Sequence, residues 1–103
     1  MQTLTYRFPA TSQPRRPVHI GVVASGDLEI LLESLPQADH ADVRVRTSVD
    51  GFDVIWHDVL ARFFARAALS GRWELNDLGA TPGVVALRLR QAVEAATEPM
   101  EAG

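Results

Sequence analysis

Few residues in this chain combine reactive chemistry with a setting that would let them use it. Ser25 is the foremost. It stands in Ser25-Gly26-Asp27, a polar turn between two apolar runs. A hydroxyl at such a tip faces solvent and can be esterified, although most Ser-Gly-Asp turns are only turns. The histidines, His19, His40 and His57, fall in a strand, a loop and the wet face of a helix, with no ligand spacing between any pair. The chain has no Cys, which removes disulfides, thiolate metal sites and a thiol nucleophile. It also has no Lys, all ten basic residues being Arg. No side chain can then form a Schiff base or carry biotin or lipoate, and an acyl thioester would need a thiol from an attached group. No Gly-x-Ser-x-Gly elbow and no Walker sequence is present. Asp50 and Asp53 read as capping residues, and Asp77 as a turn residue bonding the backbone that follows it. No catalytic residue and no metal ligand set is expected.

The composition bounds the partners. The formal charge of −3 argues against nucleic acid, whose binders show a basic surplus. The longest apolar run is far short of a membrane span. The first residues alternate like a strand and lack the apolar core of a signal peptide, so a cytoplasmic protein is expected. One domain over residues 1–103 is expected, with about 97–103 a frayed acidic tail.

The elements that must position Ser25 follow from hydrophobic periodicity. Thr3 to Phe8 alternates, with Leu4, Tyr6 and Phe8 inward. Pro9 to Pro17 is a Pro-rich loop ending at Arg15 and Arg16. This pair reads as solvated charge or as a phosphate contact near the next turn. Pro17 to Val23 and Leu28 to Glu33 read as two strands of a hairpin, with Gly26-Asp27 as the central residues of a Gly-X turn. Asp42 to Val49 alternates strongly, with Val43, Val45, Thr47 and Val49 on one face, the signature of a sheet covered on one side. From Phe52 the period changes to that of a helix, carrying Ile55, Trp56, Val59, Leu60, Phe63 and Phe64 to about Ala67. Asp50 is the expected N-cap and Gly71 the expected stop. Arg72 to Leu78 is a further strand. Thr81 reads as an N-cap and Pro82 as the first residue of a last helix, with Val85, Leu89, Ala92 and Ala96 on its apolar face. The expected fold class is α+β: a mixed, mainly antiparallel sheet of about five strands with two helices packed on one face. The Gly79-to-Gly83 loop, at a helix start, has N–H groups free to meet an anion, as every helix start has.

Four segments together resemble a known family. They are Val-Ala-Ser-Gly-Asp-Leu-Glu-Ile-Leu-Leu-Glu at 23–33, Thr-Ser-Val-Asp-Gly-Phe at 47–52, Ala-Arg-Phe-Phe at 61–64 and Asn-Asp-Leu-Gly-Ala-Thr-Pro-Gly-Val-Val at 76–85. In this order they resemble the acyl carrier (delta) subunit of malonate decarboxylase. The resemblance implies that Ser25 is the covalent cofactor-binding residue, with Gly26 and Asp27 as further candidates for contact with the group. It would be joined by a phosphodiester to 2'-(5''-phosphoribosyl)-3'-dephospho-CoA, whose thiol carries acetyl and malonyl. It implies a non-catalytic carrier working with an acyl/CoA transferase subunit, decarboxylase subunits, a prosthetic-group transferase and a malonyl transferase. Arg15, Arg16 or the backbone of Thr81 to Gly83 would then hold phosphates of the arm. Ordinary acyl carrier proteins are helical bundles with the serine at a helix start. Here the flanks of Ser25 read as β, so that bundle is not expected. The alternative is an interaction subunit of another acyl-processing complex, or a citrate-lyase-type acyl carrier.

Overall fold

Strict alternation along the strands decides which face of the sheet is covered. The fold was obtained as a computed structural model that describes residues 1–99. The elements are β1 (Gln2–Pro9), β2 (Val18–Ile20), β3 (Leu28–Glu33), β4 (His40–Thr47), α1 (Asp53–Arg66), β5 (Gly71–Asp77) and α2 (Pro82–Thr97). They form one five-stranded sheet in the order β1-β4-β5-β3-β2. β4 and β5 are parallel, joined through α1, and the other neighbours are antiparallel. The fold is therefore α+β with a mixed, mainly antiparallel sheet, and not a helical bundle.

The register places the apolar residues in continuous rows. Leu4 opposes Val45, which neighbours Leu75, which opposes Ile30, which opposes Ile20. This face carries the core, in which Val45, Trp73, Leu75, Leu28 and Ile30 have no exposed surface. Helix α1 covers its β1 side through Trp56, Leu60 and Phe64, and α2 covers the β3–β2 side through Val85, Leu89, Ala92 and Ala96. Phe64 stacks on Phe8 with ring centroids 5.1 Å apart and meets Trp73 edge-on at 5.2 Å. Emptying a site of this kind, as in Trp73→Ala, typically costs about 3–5 kcal/mol. The opposite face is polar and is laced by ion pairs between neighbouring strands: Arg7 with Asp42 at 2.8 Å, Arg44 with Glu74, and Arg72 with Glu33 at 3.6 Å.

β1 and β2 are the two edge strands, so the chain between them must cross the end of the sheet. The backbone N–H groups of Thr11 and Ser12 donate to the Ala68 carbonyl, that of Ser70 to the Ser12 carbonyl, and that of Arg15 to the Ala96 carbonyl. Pro14 and Pro17 hold this crossing open rather than helical.

Several boundaries differ from the expectation. β2 stops at Ile20 instead of Val23. Helix α1 begins at Asp53, with Phe52 as N-cap residue and no side-chain cap bond. Asp50 therefore does not cap it and is exposed. The helix ends at Arg66, where Ala67 N–H bonds to the Phe63 carbonyl, and Gly71 opens β5 instead of stopping the helix. Of the tail expected at about 97–103, Thr97 closes α2 and residues 100–103 lie outside the described residues. No helix of the described residues is long and apolar enough to cross a membrane.

Candidate functional site

The parallel pairing of β4 with β5 brings both strands to their C-terminal ends at one edge of the sheet. Thr47 lies beside Asp77, and Asp77 opposes Leu28, the first residue of β3. Three connections far apart in sequence therefore meet there: residues 21–27, 48–52 and 78–81. Three of the four segments quoted above, 23–33, 47–52 and 76–85, contribute to this edge.

Ser25 is exposed, and its hydroxyl has no hydrogen-bond partner among the described residues. The expected two-residue hairpin does not form around it. The connection is a seven-residue loop, residues 21–27, because Gly21 turns out of the ladder at φ 74°. A Cβ at Gly21 would sit 2.1 Å from the Leu28 carbonyl oxygen. The tight turn is Ala24 to Asp27, closed by Asp27 N–H donating to the Ala24 carbonyl at 3.0 Å. Ser25 and Gly26 are its central residues, and Gly26 has the positive φ, 81°, that a type II turn requires at its third position. Val22 and Val23 are 57% and 61% exposed and take no part in the core.

The loop is held at its base and free at its tip. Gly26 N–H donates to the Leu78 carbonyl at 2.7 Å, and Leu78 N–H donates to the Asp27 carbonyl at 3.1 Å. The Asp27 carboxylate accepts from the Leu28 N–H at 2.8 Å and the Val22 N–H at 3.3 Å. It also accepts the Arg88 guanidinium bidentately, Nε to Oδ1 at 2.9 Å and Nη2 to Oδ2 at 3.1 Å. The Arg88 bond, helped by the two backbone donors, holds the Asp27 carboxyl below the usual carboxylate range. Arg88 in turn donates to Gln91 Oε1 at 3.0 Å. The pair cancels a negative charge two residues from the serine, which would otherwise repel an anion arriving at Oγ.

The neighbouring loops are fixed by a buried pair. Thr47 Oγ1 donates to Asp77 Oδ2 at 2.9 Å, and Asp77 Oδ1 accepts the Ala80 N–H at 2.9 Å. Val49 N–H donates to Thr47 Oγ1 at 3.1 Å, and Ser48 N–H to the Asp77 carbonyl at 3.0 Å. Asp77 thus does bond the backbone after it, as its position before a turn suggests. Thr81 caps α2 by accepting the Val84 N–H at 3.2 Å, with Pro82 at the first helical position. Between the N-terminal halves of α1 and α2 runs a groove of about 570 Å³ lined by Phe52, Ile55, Trp56, Val59, Pro82 and Val85, among others.

Arg15 and Arg16 are not at this edge. Arg16 donates to the Ala95 and Glu98 carbonyls, both at 2.7 Å, at the C-terminus of α2. The helix is 16 residues long and spans about 24 Å, which separates that end from the Thr81 end beside the serine loop. Cationic groups at a helix C-terminus are favoured by the dipole and by the unpaired carbonyls. Arg15 remains exposed beside it. The histidines stay apart: His19 pairs with Glu29 at 2.9 Å, His40 lies between Asp39 and Asp42, and His57 packs against the Tyr6 and Phe8 rings. Among the described residues no three His, Asp or Glu side chains gather as a metal site.

Arg88 is the residue that the sequence reading missed. A signal was present. Arg88 is three residues after Val85 and four before Ala92, on the flank of an apolar helix face, where a charge demands a partner. Nothing local says that the partner is Asp27.

Comparison with known proteins agrees with the geometry. Residues 15–96 match the family model described as malonate decarboxylase delta subunit (MdcD). A malonate decarboxylase acyl carrier protein of Pseudomonas paraeruginosa (strain DSM 24068 / PA7) is 49% identical over 98 residues, covering 93% of this chain and 97% of the relative. One from Xanthomonas campestris pv. campestris (strain B100) is 44% identical over 98 residues, covering 91% and 93%. A chain in the crystal structure of a Pseudomonas malonate decarboxylase hetero-tetramer in complex with malonate superposes with a TM-score of 0.82. It is 43% identical, and the match covers 91% of this chain and 97% of that one. A match of this extent, running through the serine loop and the edge that holds it, shows that the chain belongs to the malonate decarboxylase delta subunit family, the acyl carrier subunits of that enzyme.

Proposed function

We propose that Ser25 is the attachment point of a phosphoribosyl-dephospho-CoA group, and that the chain carries this group between the other subunits of a cytoplasmic malonate decarboxylase. The observation that carries the reading is the exposed Ser25 hydroxyl, without a partner among the described residues, on a turn whose next residues are tied down. The group supplies a thiol on a long arm, on which acetyl and malonyl travel as thioesters. The protein contributes the anchor. Its Ser25 Oγ would form the ester bond to phosphorus as the bond from that phosphorus to a phosphate-type leaving group on the activated donor breaks, and the hydroxyl proton would pass to the modifying enzyme or solvent. Gly26 leaves open space next to the serine, with no heavy atom from beyond residues 25–27 within 4 Å of where a Cβ would stand. A modifying enzyme can therefore close around the tip. Asp27, neutralised by Arg88, fixes the root of the arm while the arm itself stays free to swing.

Without Cys or Lys, the chain has no side-chain thiol or amine of its own for the acyl group. This supports a carrier that performs no chemistry, with transfer and decarboxylation left to partner subunits. The structural relative in a hetero-tetramer supports those subunits as partners. Intact-mass measurement on protein co-produced with its modifying enzymes tests the reading. The expected result is a phosphoribosyl-dephospho-CoA increment on the peptide containing Ser25, absent from Ser25→Ala. An active complex whose Ser25 is unmodified would overturn it.

A further inference from the structure

We infer that Arg46 receives phosphate oxygens of the group carried at Ser25. The inference rests on the Ser25 reading and adds the residue that meets the charge. The open face of the sheet is built in charge-matched rungs. The register of β4 with β5 sets Asp42 beside Arg72, Arg44 beside Glu74, and Arg46 beside Asn76. Of the four arginines on this face, Arg7, Arg44 and Arg72 each pair with a carboxylate on a neighbouring strand. The matching stops at Arg46. Its β5 neighbour Asn76 is neutral, its β1 partner is Thr3, and it makes no ion pair among the described residues. The acid nearest along the sheet, Glu29, is taken by the Asn76 amide at 2.9 Å and by His19. Asp77 turns to the covered face, bonded to Thr47.

This unmatched rung is the one beside the anchor. Arg46 lines a depression of about 230 Å³ together with Val23, Asn76 and Leu78. Val23 is two residues from Ser25, so their Cα atoms lie within about 7 Å. The Leu78 carbonyl holds the Gly26 N–H. The depression therefore opens against both sides of the serine turn. A guanidinium presents five donors in a rigid fork that matches phosphate oxygens. A phosphodiester placed on Ser25 stays anionic at neutral pH, and Arg46 is the arginine of this face that no carboxylate of the described residues occupies. Of the candidates from sequence, Arg15 and Arg16 sit at the other end of α2, while the Thr81-to-Gly83 backbone lies at its serine end and carries no charged side chain.

The test follows the arginine Nε–H resonances of labelled protein before and after attachment at Ser25. Arg46 is expected to move further than Arg7, Arg44 and Arg72. Arg46→Ala is expected to slow attachment about fivefold to tenfold with an unchanged thermal midpoint, and Arg46→Lys to recover part of the rate. The difference should close near 1 M salt, where the Debye length is about 3 Å. If mass shows Ser25 modified while the Arg46 resonance stays in place, the inference is overturned and the Ser25 reading stands. Equal movement of all four arginines also overturns it, because it would report general screening. If mass shows no addition at Ser25, both fall.

Discussion

Asp27 and Arg88, 61 residues apart, meet as a two-pronged ion pair at 2.9 and 3.1 Å, and this pair fixes the base of the loop that presents Ser25. Arg88→Ala should leave the sheet intact and loosen residues 22–27. Hydrogen exchange is expected to show several-fold faster exchange at Val22 and Leu28, whose N–H groups bond to Asp27. Arg88→Lys, which cannot form both prongs, should fall between the two. Unchanged exchange in Arg88→Ala would remove the pair from the loop's support.

The same pair makes the loop acid-sensitive in a defined direction. The Asp27 carboxyl is held below its ordinary value by Arg88 and then by the Leu28 N–H. Its contribution is fully present above the unfolded value of about 3.9 and is lost as pH falls through the lower folded value. Loop protection should therefore persist through neutral and mildly acidic pH and fail only below about pH 4. In Arg88→Ala the failure should move upward. A carboxyl NMR titration of Asp27 in both proteins checks the order of the two midpoints.

Two glycines in the loop should respond differently to alanine. Gly26→Ala places a Cβ in open space and bears only the left-handed backbone, about 1–2 kcal/mol. Gly21→Ala adds a Cβ 2.1 Å from the Leu28 carbonyl oxygen, and should cost more than about 3 kcal/mol through loss of the β2–β3 junction. Urea denaturation of the two variants gives the comparison. Equal loss of stability would contradict the packing described for Gly21.

Thr47→Val keeps the shape of the side chain but strips a buried donor from Asp77, at a cost of about 1–3 kcal/mol. Because Thr47 also accepts the Val49 N–H, amide exchange at Val49 should rise with it. Thr47→Ser, which keeps the hydroxyl, should retain most of the protection.

Ser70 is the reverse case. Its hydroxyl is 1% exposed as a residue and lacks a partner among the described residues. Ser70→Ala should be neutral or stabilising by up to about 1 kcal/mol. A clear drop in the thermal midpoint would mean that the hydroxyl is satisfied in solution.

The architecture was legible because its determinants are local. Alternation at Leu4-Tyr6-Phe8, at Leu28-Ile30-Leu32 and at Val43-Val45-Thr47 assigns one face to the core. The change of period after Gly51 marks the one parallel crossover. Thr81 and Pro82 announce the second helix with a cap. The loop around Ser25 was legible only as a turn. Its length depends on Gly21 meeting the Leu28 carbonyl, and its rigidity depends on Arg88 and Leu78, contacts that no short window of sequence contains. Arg15 and Arg16 were misplaced for the same reason. Only the fold shows that the residues before β2 run past the end of α2 and not past the serine. Asp50 looked like a cap because its residue type is right, yet the chain turns at Gly51 and the helix begins two residues later.

The order of the strands also has a consequence for synthesis. β3 leaves the ribosome early but finds its central partner only in β5, and the ties from Gly26 to Leu78 and from Asp27 to Arg88 wait for the last third of the chain. Until then the turn that carries Ser25 lacks those ties. On the proposed attachment at Ser25, an enzyme that recognises the fixed turn, and not the local sequence, would in effect inspect the finished product, loading only chains that have folded through α2.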